Sequence, residues 1–267
     1  MKQVSSVVYN SKYFSTFLKS PDFSHPVNGN QFKRKYHETA LLLPISTSTR
    51  LVDFGCGDGD YCFYLDCIYK PTIVGIDYSK DAIKICQTKL KNYKKYTNPK
   101  AKIKFYNRNN NQLPKLKHID YVFALDVFEH LYDHEIKTIL KSFESWNHNI
   151  KIIIHTDNTI YLNYVAWIFD LLEILIKKTS LKEIRRRYQL NSKMHVNLTN
   201  PWILARKMKK WGYRENKRWF PQANDQTIIS QLGELGKIKL INKGIKTILK
   251  HCNFLAPSFY AVYEKTT

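Results

Sequence analysis

Two acidic residues and three glycines occur in the stretch LVDFGCGDG, which ends an apolar run. The glycines occupy alternate positions, at Gly55, Gly57 and Gly59. They would let the backbone turn sharply and lie against a ligand, because no Cβ atom stands in the way. Asp53 lies where the apolar run ends, and Cys56 lies between two of the glycines. A strand followed by such a loop predicts the binding site of a nucleoside cofactor.

The residues after the glycines indicate which nucleoside. A dinucleotide loop needs glycine or alanine at the sixth position of G-x-G-x-x-G, where the helix N-terminus receives a pyrophosphate. Here that position is Asp60, and Asp58 adds a second negative charge. These charges would repel a pyrophosphate but not a sulfonium or an ammonium group. The loop therefore favours a cationic nucleoside over a dinucleotide.

A second acidic residue follows the next apolar run, TIVGIDYS. Asp77 comes at the carboxyl end of this predicted strand, where it could accept hydrogen bonds from both hydroxyls of a ribose. Tyr78 beside it offers a ring against which an adenine could pack. The alternative is that Asp77 merely helps to cap the following helix.

Three segments, VDFGCGDG, GIDYS and YVFALDVFEHL, resemble the class I S-adenosylmethionine-dependent methyltransferases over roughly residues 35–215. They are most similar to the branch with E-H-L after the fourth strand, which includes ubiquinone-pathway O-methyltransferases and small-RNA 2′-O-methyltransferases. The resemblance implies S-adenosylmethionine as cofactor and a Rossmann-like, seven-stranded, mostly parallel sheet with helices on both faces. It also places Leu125 and Asp126 among the cofactor residues. Asn109 stands where the family has an acidic residue that bonds the adenine amino group, and its amide oxygen could accept the same bond.

Histidines and acids cluster where the fourth and fifth predicted strands end. Methyl transfer to oxygen needs a deprotonated acceptor, so the protein must supply orientation and a base. His155 could be that base, His195 could be, or a divalent cation could lower the pKa of the acceptor hydroxyl. The candidate catalytic residues are His155, His195 and Asp126, and the candidate metal ligands are Glu129, His130 and His195, with Asp126 beside them.

Structural roles compete with each of these assignments. Glu129 and His130 could cap a helix or pair with a basic neighbour, and His155 could be a packed residue at a strand end. Asp157, at the end of the fifth predicted strand, is expected to point into the same crevice as Asp53 and Asp77.

Periodicity and capping signals place these residues on one α/β domain of 267 residues. The predicted strands are 51–54, 72–76, 101–106, 120–125, 151–155, 214–220 and 258–264. The predicted helices are 31–43, 60–69, 79–96 with Ser79 as its cap, 133–146, 161–177, one from Pro201 to a stop at Gly212 with Thr199 or Asn200 as its cap, and a helical segment 225–251. The single methyltransferase domain would comprise an N-terminal helical cover (1–45), a cofactor-binding core (46–157), a helical insertion (158–198) and the C-terminal part of the core (199–267).

The insertion contains a helix that is apolar over most of its circumference. Residues 161–177 are clearly polar only at Asn163, Asp170, Glu173 and Lys177. A basic run from Lys177 to Arg187 follows. The apolar surface must be covered by the domain body, by a partner subunit in a homodimer, or by a greasy acceptor and the membrane surface that holds it.

The formal charge of +21 has two interpretations. A nucleic-acid acceptor would use the basic second half, but lysine greatly outnumbers arginine, which a biased coding sequence would also produce. The five cysteines form no C-x-x-C pair, and no signal peptide is apparent, so a cytoplasmic protein is expected, with membrane association left open.

We therefore predict an S-adenosylmethionine-dependent methyltransferase that acts on the oxygen of a small or lipid-like hydroxyl acceptor. An RNA 2′-O-methyltransferase is the alternative, and a non-catalytic binding protein that kept the fold is a further one.

Overall fold

Seven strands form one sheet in the order β3-β2-β1-β4-β5-β7-β6. The computed structural model describes residues 21, 23–108, 113–177, 179–221, 237 and 239–266. The strands are β1 (Arg50–Phe54), β2 (Thr72–Asp77), β3 (Ile103–Asn107), β4 (Tyr121–Leu125), β5 (Lys151–Asp157), β6 (Tyr213–Trp219) and β7 (Ser258–Lys265). β1 pairs in parallel with β2 and β4, β2 pairs in parallel with β3, and β6 pairs antiparallel with β7. The predicted fold class and the antiparallel last hairpin are confirmed.

Burial explains why the central strands are continuous apolar runs. Four successive residues of β1 and five of β2 are buried, since a parallel strand is covered on both faces. The edge strand β3 instead alternates buried and less buried residues. The hydrophobic pattern of the sequence therefore separates central strands from edge strands.

The structure describes the following α-helices. They are α1 (Arg34–Ala40), α2 (Asp60–Tyr69), α3 (Lys80–Tyr96), α4 (Asp133–Trp146), α5 (Thr159–Tyr164), α6 (Ala166–Lys177), α7 (Leu181–Met194), α8 (Pro201–Lys210) and α9 (Lys239–His251). Both α2 and α4 have the predicted bounds. Ser79 accepts a hydrogen bond from the backbone N–H of Ala82 and so caps α3, as predicted. Asn200, one of the two predicted caps, begins α8. Of the predicted helical segment 225–251, only residues 237 and 239–251 lie among the described residues.

The described residues divide into two compact units. The first contains the described residues up to Val127 together with His134–Ile153, and the second contains Phe128–Asp133 and the described residues from Ile154 to Thr266.

In the first unit, the segment before α1 packs onto α2 and α3. The ring of Phe23 is fully buried, with its centroid 4.5 Å from that of Phe63 and 5.3 Å from that of Tyr93. The Tyr93 hydroxyl in turn donates to the buried carboxylate of Asp66 at 2.9 Å. Phe23, Phe32, Tyr36 and Ala40 are thus part of the hydrophobic core of the first unit.

The Phe105 ring of β3 packs against Gly59 of the glycine loop and against Gly75 of β2. Cβ atoms added at Gly59 and at Gly75 would lie 2.9 Å and 2.5 Å from the Phe105 ring. The Phe105 ring therefore occupies space that is open only because Gly59 and Gly75 have no Cβ atom.

In the second unit, the predicted helix 161–177 is two helices. The helix is interrupted at Val165, where φ is −121° and ψ is −41°. Helix α5 therefore ends at Tyr164, and α6 begins at Ala166. The indole N–H of Trp167 donates to the carbonyl oxygen of Tyr164 at 3.0 Å and satisfies a group that the break releases. The periodic pattern continues through the break, which is why the sequence predicted one helix.

The two ends of the helical insertion meet. The Thr159 N–H donates to the carbonyl oxygen of Thr199 at 2.8 Å, and Asn158 forms an isolated parallel bridge with Thr199. The Asn158 side chain also donates to the carbonyl oxygens of Phe254 and Ala256. The insertion therefore leaves and rejoins the second unit at one point.

Among the described residues, the helices all fall short of the length and apolar character that crossing a membrane requires.

Two glycine substitutions should act in opposite directions on stability. Gly75→Ala should lower the free energy of unfolding by about 1–3 kcal/mol, because the Phe105 ring must move against the glycine loop. Gly244→Ala should raise it by about 0.5–1 kcal/mol, because Gly244 lies inside α9 and an added Cβ would meet no atom within 4 Å. Urea unfolding midpoints measure both. Equal midpoints for the two variants would contradict the packing of Phe105.

Candidate active site

The glycine loop is held against β2 by backbone hydrogen bonds. The N–H groups of Gly55 and Cys56 both donate to the carbonyl oxygen of Ile76, at 2.7 Å and 3.1 Å. Gly55 has a φ of +78°, and a Cβ there would lie 2.3 Å from a methyl carbon of Val127. The three predicted loop glycines all have positive φ. The loop thus has the sharp turn that the sequence predicted.

Asp77 joins the loop to the start of α3. One carboxylate oxygen accepts from the Gly57 N–H at 2.9 Å and the other from the Ser79 N–H at 2.8 Å. Burial raises the pKa of Asp77 from 3.8 to about 6, although these backbone hydrogen bonds and one from Tyr78 favour the charged form. Because Ser79 itself caps α3, Asp77 is more than a capping residue. Its bond to the ribose stays a prediction.

Asp53 is a second buried carboxyl in the same unit. Its only partner among the hydrogen bonds of the described residues is the Cys62 thiol, which donates at 3.4 Å. Burial raises the pKa of Asp53 from 3.8 to about 7, the Cys62 thiol lowers it, and the charge of Asp77 raises it again. A bound cation would favour the ionised form of such a carboxyl.

Asp58 and Asp60, which were expected to repel a pyrophosphate, both have a cationic partner within the protein. Lys89 of α3 forms ion pairs with both, at 2.7 Å and 3.3 Å. Their charges are therefore partly neutralised inside the protein. A pyrophosphate would therefore be disfavoured less by these two residues than by the buried carboxyls of Asp53 and Asp77.

Asp126, at the end of β4, pairs with a residue that sequence reasoning missed. Its carboxylate lies 2.5 Å from the Lys35 ammonium of α1, and its backbone has a φ of +58°. Left-handed backbone at a non-glycine residue is strained and is often found at functional sites. The two residues are 91 positions apart, so no local sequence signal could have paired them. Leu125 and Tyr78 are half-buried beside the strand ends, whereas Asn109 lies outside the described residues.

Arg108 was also missed by the sequence analysis. It follows β3, donates its backbone N–H to the carbonyl oxygen of Asp77 at 2.7 Å, and places its guanidinium over the Phe54 ring. Burial lowers the pKa of Arg108. A basic residue directly before a run of asparagines was a signal that could have been noticed.

In the second unit, Glu129 is a buried structural acceptor. Its carboxylate accepts from the Thr156 hydroxyl at 2.9 Å, and its backbone carbonyl accepts from the Asn197 N–H at 3.0 Å. These bonds connect the short 3-10 helix Phe128–His130 to β5 and to the segment after α7.

His195 lies between a carboxylate and a second histidine. Its Nδ1 is 3.5 Å from Asp157 Oδ2, which is ion-pair rather than hydrogen-bond distance. The rings of His130 and His195 meet edge to face, with centroids 4.8 Å apart. His130 Nδ1 is 2.9 Å from the carbonyl oxygen of Met194, so that nitrogen carries a proton. The structure thus brings together three of the polar residues predicted at the strand ends and the insertion.

His155 has a different setting. It is buried, with its ring centroid 4.4 Å from that of Tyr260, which packs on Trp219 in turn. These contacts favour a packing role for His155.

The predicted metal ligands do not fit a metal ion. Among the described residues, no group of three or more His, Cys, Asp or Glu side chains is arranged to hold one. Glu129 accepts from Thr156 and His130 bonds to a carbonyl oxygen, so two of the predicted ligands have other partners.

Comparison with known proteins identifies the cofactor unit. Residues 52–147 match the family model described as a methyltransferase domain. No curated protein matches the chain in sequence.

Several solved structures share the fold. Geranyl diphosphate C-methyltransferase from Streptomyces coelicolor A3(2), in complex with Mg²⁺, geranyl diphosphate and S-adenosyl-L-homocysteine, has a TM-score of 0.57 at 10% identity, over 87% of this chain and 81% of that chain. The cyclopropane synthase MmaA2 from Mycobacterium tuberculosis has a TM-score of 0.56 at 13% identity, over 97% and 96%. A SAM-dependent methyltransferase from Archaeoglobus fulgidus has a TM-score of 0.52 at 17% identity, over 86% and 93%.

These findings confirm the coarse prediction. The match over residues 52–147 supports an S-adenosylmethionine-dependent methyltransferase, and the solved structures show the class I fold over most of the chain. The branch that the sequence suggested, with ubiquinone-pathway and small-RNA enzymes, stays a prediction.

Loss of the Asp77 carboxylate should weaken cofactor binding. We expect Asp77→Ala to cost about 1.5–3 kcal/mol of S-adenosylmethionine affinity, because a charged acceptor for the ribose is removed. Calorimetric titration of the purified protein measures it.

Asp120→Ala is the matched control for that titration. Asp120 also accepts a backbone N–H, that of Arg50, but at the amino ends of the strands. Equal affinity in wild type and Asp77→Ala, or equal losses in both variants, would refute the ribose role.

Cofactor affinity should rise with pH between about pH 5 and pH 7, where the α-amino and α-carboxyl groups of the cofactor keep their charge. Ribose hydroxyls donate to the ionised form of Asp77, whose pKa is about 6 in the free protein. Below that pKa the affinity should fall by up to about tenfold per pH unit.

Stability of the free protein should follow the opposite trend. A carboxyl whose folded pKa is raised contributes stability below its ordinary value of 3.8, and that contribution is lost as the pH rises through about 6 for Asp77 and about 7 for Asp53. Titrations and melting curves across this range, repeated with Asp77→Asn, separate the two effects. An unchanged pH slope of affinity in Asp77→Asn would contradict the assignment.

Proposed function

We propose that the enzyme transfers the methyl group of S-adenosylmethionine to a hydroxyl of a hydrophobic, lipid-like acceptor. The observation that carries this proposal is the His195–Asp157 pair at the root of an apolar helical insertion. Histidine beside a carboxylate is a usual arrangement for a general base.

When bound, S-adenosylmethionine supplies a methyl carbon that its sulfonium makes electrophilic, and it leaves as S-adenosylhomocysteine with the electrons of the broken C–S bond. The acceptor oxygen must lose its proton as it forms the new bond. The protein therefore has to hold the hydroxyl and take up one proton.

His195 is suited to that proton transfer. Its Nδ1 faces Asp157, so in this proposal Nε2 is the nitrogen that takes up the proton. The Asp157 carboxylate can stabilise the imidazolium that forms, and the edge of His130 restricts the ring. Asp126, whose carboxylate pairs with Lys35, has no proton-transfer role in this proposal.

The insertion supports a hydrophobic acceptor. Both of its ends are anchored at Asn158 and Thr199, next in sequence to Asp157 and close to His195. The helices between them present large apolar side chains to solvent. Two proteins of similar fold have names that point the same way, one being a geranyl diphosphate C-methyltransferase and the other a cyclopropane synthase.

Acceptor assays with labelled S-adenosylmethionine test the proposal. The panel contains a catechol, the same catechol carrying a polyprenyl tail, and a short oligoribonucleotide with free 2′-hydroxyls. We expect an alkali-stable methyl ether on the tailed catechol, with a kcat/KM at least about tenfold above that of the tailless one, since several buried CH₂ groups contribute. Methylation of the oligoribonucleotide alone would replace this proposal with the RNA alternative.

Histidine variants test the base in the same assay. His195→Ala should lower kcat by about 10²–10⁴-fold and leave the dissociation constant of the cofactor unchanged. His148→Ala, at an exposed histidine of the first unit, is the control. A larger loss in His155→Ala than in His195→Ala would move the base to His155. Loss of activity on chelation, restored by Mg²⁺, would return Glu129, His130 and His195 to a metal role.

A further inference from the structure

Helices α5 and α6 expose a continuous strip of large apolar side chains. This apolar stripe consists of Tyr164, Trp167, Ile168, Leu171 and Leu175. Within α6 its members are one, three or four positions apart, so at 100° per residue they share one face about 100° wide. Trp167 is 56% exposed and Leu175 is 68% exposed. An exposed apolar patch of this kind usually marks an interaction site.

Helix α7 packs beside the stripe and leaves it uncovered. The Tyr188 hydroxyl of α7 donates to the Asp170 carboxylate of α6 at 2.6 Å, and Ile184 of α7 is buried. Asp170 lies about 110° around α6 from the middle of the stripe. The contact between the helices therefore uses a different side of α6.

The hydrogen bonding of Trp167 suits an apolar environment. Its indole N–H already donates to the carbonyl oxygen of Tyr164. The ring can therefore enter a hydrocarbon layer without leaving a donor unsatisfied.

A basic cluster accompanies the stripe. It consists of Lys182, Arg185, Arg186 and Arg187, all exposed on α7. Over the whole of α7 there are five basic residues and one acidic residue, a difference of +4. That acidic residue, Glu183, pairs with Arg186 at 3.1 Å. The second unit thus combines an exposed apolar face with a strong positive charge on the adjacent helix.

We infer that α5, α6 and α7 form a docking surface for an anionic lipid bilayer. Helix α6 has 12 residues and is about 18 Å long, too short to cross a hydrocarbon core of about 30 Å, so it would lie in the interface with the stripe inserted. The basic cluster would contact the headgroups, each residue strengthening binding about fivefold.

The two competing occupants fit the surface less well. In a symmetric dimer the same patch meets itself, which would bring two basic helices together. A nucleic acid would match the basic cluster but offers no aliphatic surface for Ile168, Leu171 and Leu175. An anionic bilayer is complementary to both the charge and the apolar side chains.

The docking surface is inferred from the exposed side chains of α5, α6 and α7, and it rests on the proposed function in one respect only. If the acceptor is lipid-like, the same bilayer would hold it. Binding to vesicles without cofactor or acceptor therefore tests the surface, and failure of the acceptor assay would leave that result intact.

Vesicle co-sedimentation of the full chain is the experiment. Pure phosphatidylcholine vesicles are compared with vesicles in which about a third of the lipid is phosphatidylglycerol. We expect binding to the anionic vesicles that weakens with added salt. Replacing Trp167, Leu171 and Leu175 by serine should reduce binding at least about tenfold, and Lys182→Ala with Arg185→Ala should reduce it by about 25-fold on anionic vesicles only.

Matched variants outside the surface control for folding and for net charge. Leu41→Ser changes, in the first unit, the most exposed large apolar side chain among the described residues, and Lys84→Ala with Lys91→Ala removes two exposed lysines of α3. Both should bind like wild type. The inference is overturned if wild type stays in the supernatant, if the control variants lose as much binding as the surface variants, or if the serine variant binds normally but changes from dimer to monomer. Binding to an oligoribonucleotide through Lys182 and Arg185, without vesicle binding, would also overturn it.

Discussion

The bond between the Asp77 carboxylate and the Gly57 N–H is the constraint on which the cofactor site depends. It spans 20 residues of sequence and fixes the glycine loop to the end of β2. Because the second carboxylate oxygen holds the Ser79 N–H, one side chain sets the positions of the loop, the strand end and the start of α3. A change in any of these elements would displace the others.

The four carboxyls around the loop are neutralised to different extents. This difference favours a ligand with positive charge over one with negative charge. Lys89 neutralises Asp58 and Asp60 within the protein. Asp53 and Asp77 receive neutral donors instead, so burial dominates and their pKa values rise. A ligand with positive charge would lower both pKa values again, whereas a pyrophosphate would raise them further. The site therefore gains binding energy from a cation that it could not gain from a dinucleotide.

Local signals explain which parts of the structure could be predicted. Helices α2 and α4 have the predicted bounds because a glycine turn and an amphipathic pattern define them within a few residues. The ion pair between Lys35 and Asp126 joins positions far apart in sequence, so only the folded chain brings them together. The interruption of the helix at Val165 was not predicted. The indole hydrogen bond of Trp167 offsets the loss of helical hydrogen bonding there, and hydrophobic periodicity carries no signal for such a bond. Likewise, the sequence named His195 and Asp157 separately, but only the fold makes them a pair.

The closed base of the insertion has an evolutionary consequence. Since Thr159 and Thr199 are hydrogen-bonded neighbours, the chain between them forms a loop whose length can change at a small entropic cost, about 0.6 kcal/mol per doubling. Insertions, deletions or exchanges of whole helices there would leave the register of the sheet untouched. The helices between Thr159 and Thr199 can therefore be lengthened, shortened or replaced without altering the glycine loop between β1 and α2.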